Sequence, residues 1–153
     1  MKSPSYRCTF ERDDNGTLLV SCAAFPELVT YGDTIADAAA HALGAIEEAV
    51  AARIHDGRTV PSAQRTGPAR AGEFVVKLPQ LTAQKVLLYN LLAELGLSRA
   101  DLARRLGWHR EQVDRLFRRD HASKAAQLDA AFRTLGHEVE IIVRKDDPGK
   151  AAA

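Results

Sequence analysis

The sequence predicts an α+β fold in two parts, and three observations carry that prediction. Apolar and polar residues alternate on either side of an Asp-Asp-Asn-Gly turn near the N-terminus, which is the period of half-buried strands. Apolar residues then recur at helical spacing between Ile35 and Ile54. From Leu81 onward the chain is helical in style until a final β-branched run. The expected architecture is an N-terminal βββαβ domain over residues 1–79, with a loop or linker at 56–72. A helical domain with a terminal strand follows over residues 80–145, and residues 146–153 form a frayed, Ala-rich tail.

In the first domain, Tyr6, Cys8 and Phe10 alternate with polar residues before the turn, and Leu18, Val20 and Cys22 alternate after it. A β-hairpin satisfies both runs, with Gly16 supplying the positive φ of the turn. If Asp14-Asn15-Gly16 is a three-residue loop, Cys8 and Cys22 face each other across the strands. A disulfide is then geometrically open to them, although a reducing cytosol favours two buried thiols. No His pattern accompanies them to make a zinc site. A short third strand passes through Val29-Thr30-Tyr31. Thr34 can cap the following helix, with Asp37 in the capping-box position. Ile35, Ala39, Ala42, Leu43, Ile46, Val50 and Ile54 form the stripe that should pack on the sheet. Gly, Pro and small polar residues break every period from Asp56 to Gly72, and Glu73–Leu78 reads as the strand that completes the sheet.

In the second domain, Val86, Leu87, Leu91, Leu92 and Leu95 form an apolar stripe ended by Gly96. Ser98–Leu106 and Arg110–Arg118 read as two short helices with a bend at Gly107. Ser98 is the N-cap of the first, with Asp101 in the reciprocal position. Leu102, Ala103 and Leu106 face inward, Ala103 being small where two helices must approach closely, and Val113, Leu116 and Phe117 anchor the second helix. Ala125–Leu135 is a further helix ended by Gly136, and Glu138–Arg144 reads as a strand. A lone strand ending a helical domain has unpaired edges. Two copies are therefore expected to pair these strands across a dimer axis.

The composition, with 46% hydrophobic and 27% charged residues, is that of a folded soluble protein. No stretch approaches the ~20 apolar residues of a membrane span, and Met1-Lys2-Ser3-Pro4 runs directly into strand-like sequence without a signal-peptide core. The expectation is a cytoplasmic protein without membrane contact. Residues 1–80 hold 8 Lys and Arg against 10 Asp and Glu, and residues 81–153 hold 13 against 10. The stretch Ser98–Lys124 alone holds 8 against 4, which concentrates positive charge around the helical pair and suits a polyanion footprint.

That pair has the spacing of a helix-turn-helix, whose second helix enters the major groove and reads base edges with its N-terminal residues. Arg110 can contact guanine with both ends of its fork, and Glu111 or Asp114 can accept from cytosine N4. Arg99, Arg115, Arg118 and Arg119 are placed as phosphate contacts that fix register. His109 stands at the N-cap of the reading helix, where it could cap through its ring or contact phosphate. Trp108, in the turn, reads as core. Such a footprint is small, so a dimer on an inverted repeat with half-sites about one helical turn apart is the geometric expectation.

From Tyr6 to about Val143 the chain resembles the HicB antitoxin family of type II toxin–antitoxin systems. The resemblance rests on FPELVTYGDTIADAAAHALGAIEEAVAARIHDG with Val60-Pro61-Ser62, and on AQKVLLYNLLAELGLSRADLARRLGWHREQVDRLF followed by HASKAAQLDAAFRTLG. Pro26, Thr30, Gly32, Asp33 and Thr34 make the first block the more specific. The resemblance implies a degenerate RNase H-like N-terminal domain that covers HicA, a small mRNA-cleaving toxin. It also implies a C-terminal domain that binds the operon's own promoter and represses it; the homodimer expected from the strand and the footprint could pair further into a tetramer. Ser98–Phe117 places the chain in the helix-turn-helix group of that family.

An RNase H-type fold raises the alternative of a two-metal nuclease, which needs several converging carboxylates. Asp13 and Asp14 lie in a turn, Asp33 stands beside a helix cap, and Glu47 and Glu48 lie off the helix stripe. None alternates inward from a strand centre. His41 and His55 have no neighbouring nucleophile, and there is no Gly-rich phosphate loop. No catalytic residue, metal site or cofactor is expected. The remaining alternative is a stand-alone helix-turn-helix regulator whose N-terminal domain binds a ligand or another protein.

Overall fold

All the expected strands and helices but the terminal strand form, and in the expected order, in a computed structural model, which describes residues 1–62, 67–143 and 145. The elements are β1 Ser5–Arg12, β2 Leu18–Cys22, β3 Val29–Gly32, α1 Ile35–His55, β4 Glu73–Lys77, α2 Gln80–Glu94, α3 Arg99–Leu106, α4 Arg110–Leu116 and α5 Ala125–Thr134. The four strands make one antiparallel sheet in the order β3-β2-β1-β4. Asp13 N donates to Thr17 O at 2.9 Å, so the hairpin loop is Asp14-Asn15-Gly16, with Gly16 at φ +81°. That loop length sets Cys8 directly opposite Cys22. Both thiols are buried and unbridged, and the hydrogen bond to Cys22, with burial, pushes the Cys8 thiol up.

Tyr6, Cys8, Leu18, Val20, Cys22, Phe74 and Val76 form the buried face of the sheet, and α1 lies across it. The helix buries Ala38, Ala42, Ile46, Val50 and Ile54, a stripe that steps by four residues. Ala38 therefore takes the place expected of Ile35, which is exposed. Thr34 caps the helix as expected, its Oγ1 accepting from Asp37 N at 3.1 Å, but the Asp37 carboxylate accepts from Asp33 N and not from the cap residue, so the capping box is not closed. Arg53 then ties the last turns of the helix to Glu27 through two hydrogen bonds of 2.8 and 2.9 Å, which hold the Glu27 carboxyl down to about 2.

Gly32 lies where β3 turns into α1. A Cβ there would stand 2.3 Å from Ala38 N and 2.5 Å from Ala38 Cα, both backbone atoms that cannot move without dislodging the helix. Gly32→Ala is therefore expected to destabilise the fold by about 1–3 kcal/mol, an overpacking cost read from the urea midpoint.

The stretch 56–72 contains no helix or strand among its described residues, but it is stitched down on both sides of the molecule. Val60 is buried, Tyr6 OH donates to Pro61 O, Arg7 donates to Gly67 O, and Tyr89 OH donates to Arg58 O. The two halves share one contiguous apolar core. Thr82 Oγ1 donates to Glu47 at 2.8 Å across the junction, beside an Arg119–Glu48 ion pair.

The terminal strand expected at Glu138–Arg144 is not formed. Glu138–Val143 has no strand partner among the described residues, and Arg144, like the predicted tail at 146–153, lies outside them. A strand exists through its ladder, and this segment makes none with any described strand of the single chain. Val139 packs on the core, while Ile141, Ile142 and Val143 are exposed, Val143 to 92%. The segment borders a groove of about 510 Å³ whose other walls include Leu78, Ala83, Leu87 and Phe132. Among the described residues, no helix is long and apolar enough to cross a membrane.

Candidate functional site

Helices α3 and α4 occupy the positions predicted for the helical pair. Ser98 Oγ accepts from Asp101 N at 3.1 Å and Ser98 N donates to the Asp101 carboxylate at 2.7 Å, so the capping box is complete. The Ser98 hydroxyl and amide, with Arg104 beside them, hold the Asp101 carboxyl down to about 2. Gly107 closes α3 at φ +66°, a left-handed conformation that permits the sharp bend. Leu102, Ala103, Val113, Leu116 and Phe117 are buried between the helices, with Leu106 and Trp108 half-buried at the margin. Trp108 is thus a packing residue, as predicted.

The outward face of α4 carries exposed His109, Arg110, Glu111, Gln112 and Arg115, and the exit from the helix carries exposed Arg118 and Arg119. The acids among them organise the cations. Arg110 Nε donates to Asp114 at 3.1 Å, and Arg115 donates to Glu111 at 2.6 Å. The second pair has Glu N-terminal to Arg, the favourable orientation on a helix; the first has the reverse. A cation at the first helical position also opposes the helix dipole, so Arg110 is there in spite of helix stability. Arg118 makes a two-point contact with Asp120, and Arg119 reaches Glu48 of α1 at 3.7 Å.

Arg99 takes another position than predicted, and His109 keeps its place at the N-cap. Arg99 is turned inward: it donates to Asp114 at 3.4 Å and to Ile54 O at 3.2 Å, and its guanidinium lies 4.8 Å from the Phe117 ring centre. It braces the start of α3 against both α1 and α4. The His109 ring makes no cap hydrogen bond; Gln112 Oε1 instead accepts from His109 N at 2.9 Å. Gln112 had not been singled out, although its place three residues after the N-cap is the capping-box position.

The residue that sequence reasoning missed is Lys85 of α2. It is only 4% exposed, and its ammonium donates to the carbonyls of Arg118 and His121, both at 2.5 Å. These carbonyls lie just beyond the end of α4, and each also accepts from a backbone N–H, His121 N at 3.4 Å and Ser123 N at 2.9 Å. Burial lowers the Lys85 pKa, against the opposing charge of Asp120. Lys85 falls on the buried side of α2 with Val86, Leu88 and Leu92, and its spacing alone could have flagged it.

The acids weighed for a nuclease are engaged elsewhere or stand apart. Asp13 accepts from Asn15 N and Thr17 N in the hairpin turn, and Glu47 and Glu48 bridge to the helical half. Among the described residues no group of three or more His, Cys, Asp or Glu is placed to hold a metal ion.

A four-stranded antiparallel sheet with one helix across it, followed by four shorter helices, is a mixed α+β fold. Comparison with known proteins places it more closely. The family model for HicB-like antitoxins of bacterial toxin–antitoxin systems matches residues 5–87, more than half of the chain. The chain belongs to this family of antitoxins. It is 41% identical over 133 residues to the antitoxin HicB of Pseudomonas fluorescens strain Pf0-1, covering 86% of this chain and 88% of that one. The antitoxin HicB 2 of Photorhabdus laumondii is 33% identical over 141 residues, or 92% and 97% of the two chains. The antitoxin HicB of Escherichia coli K12 is 29% identical over 138 residues, or 90% and 98%. Alignments of this length run well past residue 87, through the helical half.

Proposed function

We propose that this antitoxin has two activities, divided between residues 1–79 and 80–145. The first part neutralises a HicA-like, mRNA-cleaving toxin in the cytoplasm. The second represses its own operon, with α4 lying in the major groove of promoter DNA. The observation that carries the second activity is the outer face of α4, where Arg110, Arg115, Arg118 and Arg119 are exposed on a rod braced from behind by Arg99 and Lys85. Pre-set arginines lose less freedom on binding than mobile ones. Their acid partners are exchanged for phosphate or a base edge at the interface.

Within this reading the roles divide as follows. Arg110, whose Nε is taken by Asp114, presents its two terminal nitrogens to guanine. Arg115, Arg118 and Arg119 contact phosphate, with His109 beside them at the start of the helix. Glu111 orients Arg115 and is the acid left to accept from cytosine, whereas Asp114 and Arg99 are positioning residues. The protein acts as a homodimer on an inverted repeat, with Glu138–Val143 of two copies paired as strands.

Expression of the chain together with its cognate toxin is expected to restore growth, and absence of a complex between the two would refute the first activity. On promoter DNA, Arg110→Ala is expected to cost about 1–3 kcal/mol and to relax discrimination at one base pair. An equal loss on every sequence would make Arg110 a phosphate contact instead.

A further inference from the structure

From Asp13 to Ala52 the sequence holds seven acidic residues and no Lys or Arg. This segment supplies β2, β3 and nearly all of α1. It also carries four large apolar side chains that the fold leaves exposed: Leu19, Val29, Tyr31 and Ile35. Leu19 and Tyr31 are direct cross-strand partners, and Val29 shares their face two residues away, so these three form one patch. Val29 is 73% exposed and Tyr31 62%. Ile35 opens α1 just beyond them.

The other half of the same sheet face is different. On β1 and β4 it carries the Arg7–Glu73 ion pair, with Arg7 also holding Gly67 O, and Thr9 is hydrogen-bonded to Ser21 at its border with β2. An outward-facing strand position is ordinarily polar, and half of this face obeys that rule. The apolar half is rimmed by acids: Glu11 stands directly opposite Leu19, and Asp33 and Asp37 follow Tyr31. An exposed apolar patch with Tyr at its centre and a rim of one charge is the anatomy of a protein interface. The sign of the rim repels nucleic acid and anionic lipid alike, and selects a basic protein.

We infer that the outer face of β2 and β3, centred on Leu19, Val29 and Tyr31 and rimmed by Glu11, Asp33 and Asp37, is the surface on which the antitoxin seats its toxin. The inference rests on the toxin-neutralising reading above. A nuclease that grips mRNA must present cations to the phosphate backbone, and an acidic rim engages those same cations. The partner docks on side chains rather than adding a strand. At the β3 edge the Tyr31 carbonyl already accepts from His41 Nδ1 at 2.6 Å, and the Tyr31 ring meets the imidazole edge-on at 6.1 Å.

The test measures the dissociation constant between the full-length chain and the toxin encoded beside it. Val29→Ser/Tyr31→Ser is expected to weaken the complex about 100-fold or more, as loss of a central aromatic anchor does. Asp33→Lys is expected to slow association about tenfold and to make it less sensitive to salt. Both variants should keep the melting temperature, because the altered side chains are exposed. If the wild-type chain fails to bind the toxin, the neutralising reading falls and this surface with it. If the wild type binds and the double variant stays within about threefold of it, the surface is wrong while the reading stands. The surface is also wrong if the double variant breaks up an assembly of the chain alone and leaves toxin affinity intact.

Discussion

Lys85→Met is expected to lower the unfolding free energy by about 1–3 kcal/mol, and to weaken promoter binding beyond what the lost stability explains. Methionine keeps the length and volume of the side chain, so the loss isolates the ammonium. The carbonyls of Arg118 and His121 would each lose a charged donor and keep only a backbone one, His121 N at 3.4 Å and Ser123 N at 2.9 Å. Part of that cost is offset because the substitution also removes the burial penalty on a charge. The binding effect has a different origin. The segment from Arg118 to His121 carries Arg118 and Arg119, and the Lys85 clamp joins both of its ends to α2. The pH dependence has a definite sign. Between the lowered Lys85 pKa and 10.5, the unfolded chain binds more protons at this site than the folded chain. Wild-type stability therefore gains from this site as pH rises through that window, and Lys85→Met should lack the gain. Urea midpoints across the alkaline range test this. A variant as stable as wild type, with the same alkaline slope, would remove Lys85 from the account.

Lys85 also shows where sequence reasoning stops. Features fixed by local chemistry were legible: the three-residue hairpin loop and the cysteine register that follows from it, the caps at Thr34 and Ser98, the bend at Gly107, and the inward anchors Val113, Leu116 and Phe117. Features set by how one element sits on another were not. Which α1 face meets the sheet depends on the angle at which the chain leaves β3, and Gly32 sets that angle by letting the strand approach Ala38; hence Ala38 is buried and Ile35 exposed. Arg99 reads as a phosphate contact from its position on α3, yet Ile54, Asp114 and Phe117 surround it, from parts of the chain that spacing cannot bring together. The apolar patch on β2 and β3 escaped for a similar reason. Alternation shows that two sets of side chains point opposite ways, but it does not show which residues, Val29 and Tyr31 here, a fold leaves uncovered.

Cutting the chain after Gly136 is expected to give a folded monomer that binds the full operator on the order of 10²–10⁴-fold more weakly and still binds its toxin. The cut leaves the core of the helical half in place, since Leu128, Ala131, Phe132 and Leu135 all precede it. It removes Glu138–Val143, the one β-branched stretch of that half, which is unpaired and largely exposed in the single chain. In the homodimer proposed above a second copy completes this segment, because antiparallel pairing of two such segments satisfies both backbones and covers Ile141 and Ile142. The affinity loss follows from geometry. A dimer that engages one half-site holds its second α4 near the other, about one helical turn away, so the second contact is made at high effective concentration. A monomer makes each contact alone. Ile141→Pro supplies a variant without deletion: proline removes a ladder donor, and at an exposed, unpaired position it costs the single chain little. Sedimentation should report monomers for both variants, and the operator titrations should show the same loss. A Pro variant that remains dimeric and binds tightly would place the dimer contact elsewhere, and the two reading helices would then need another device to align them.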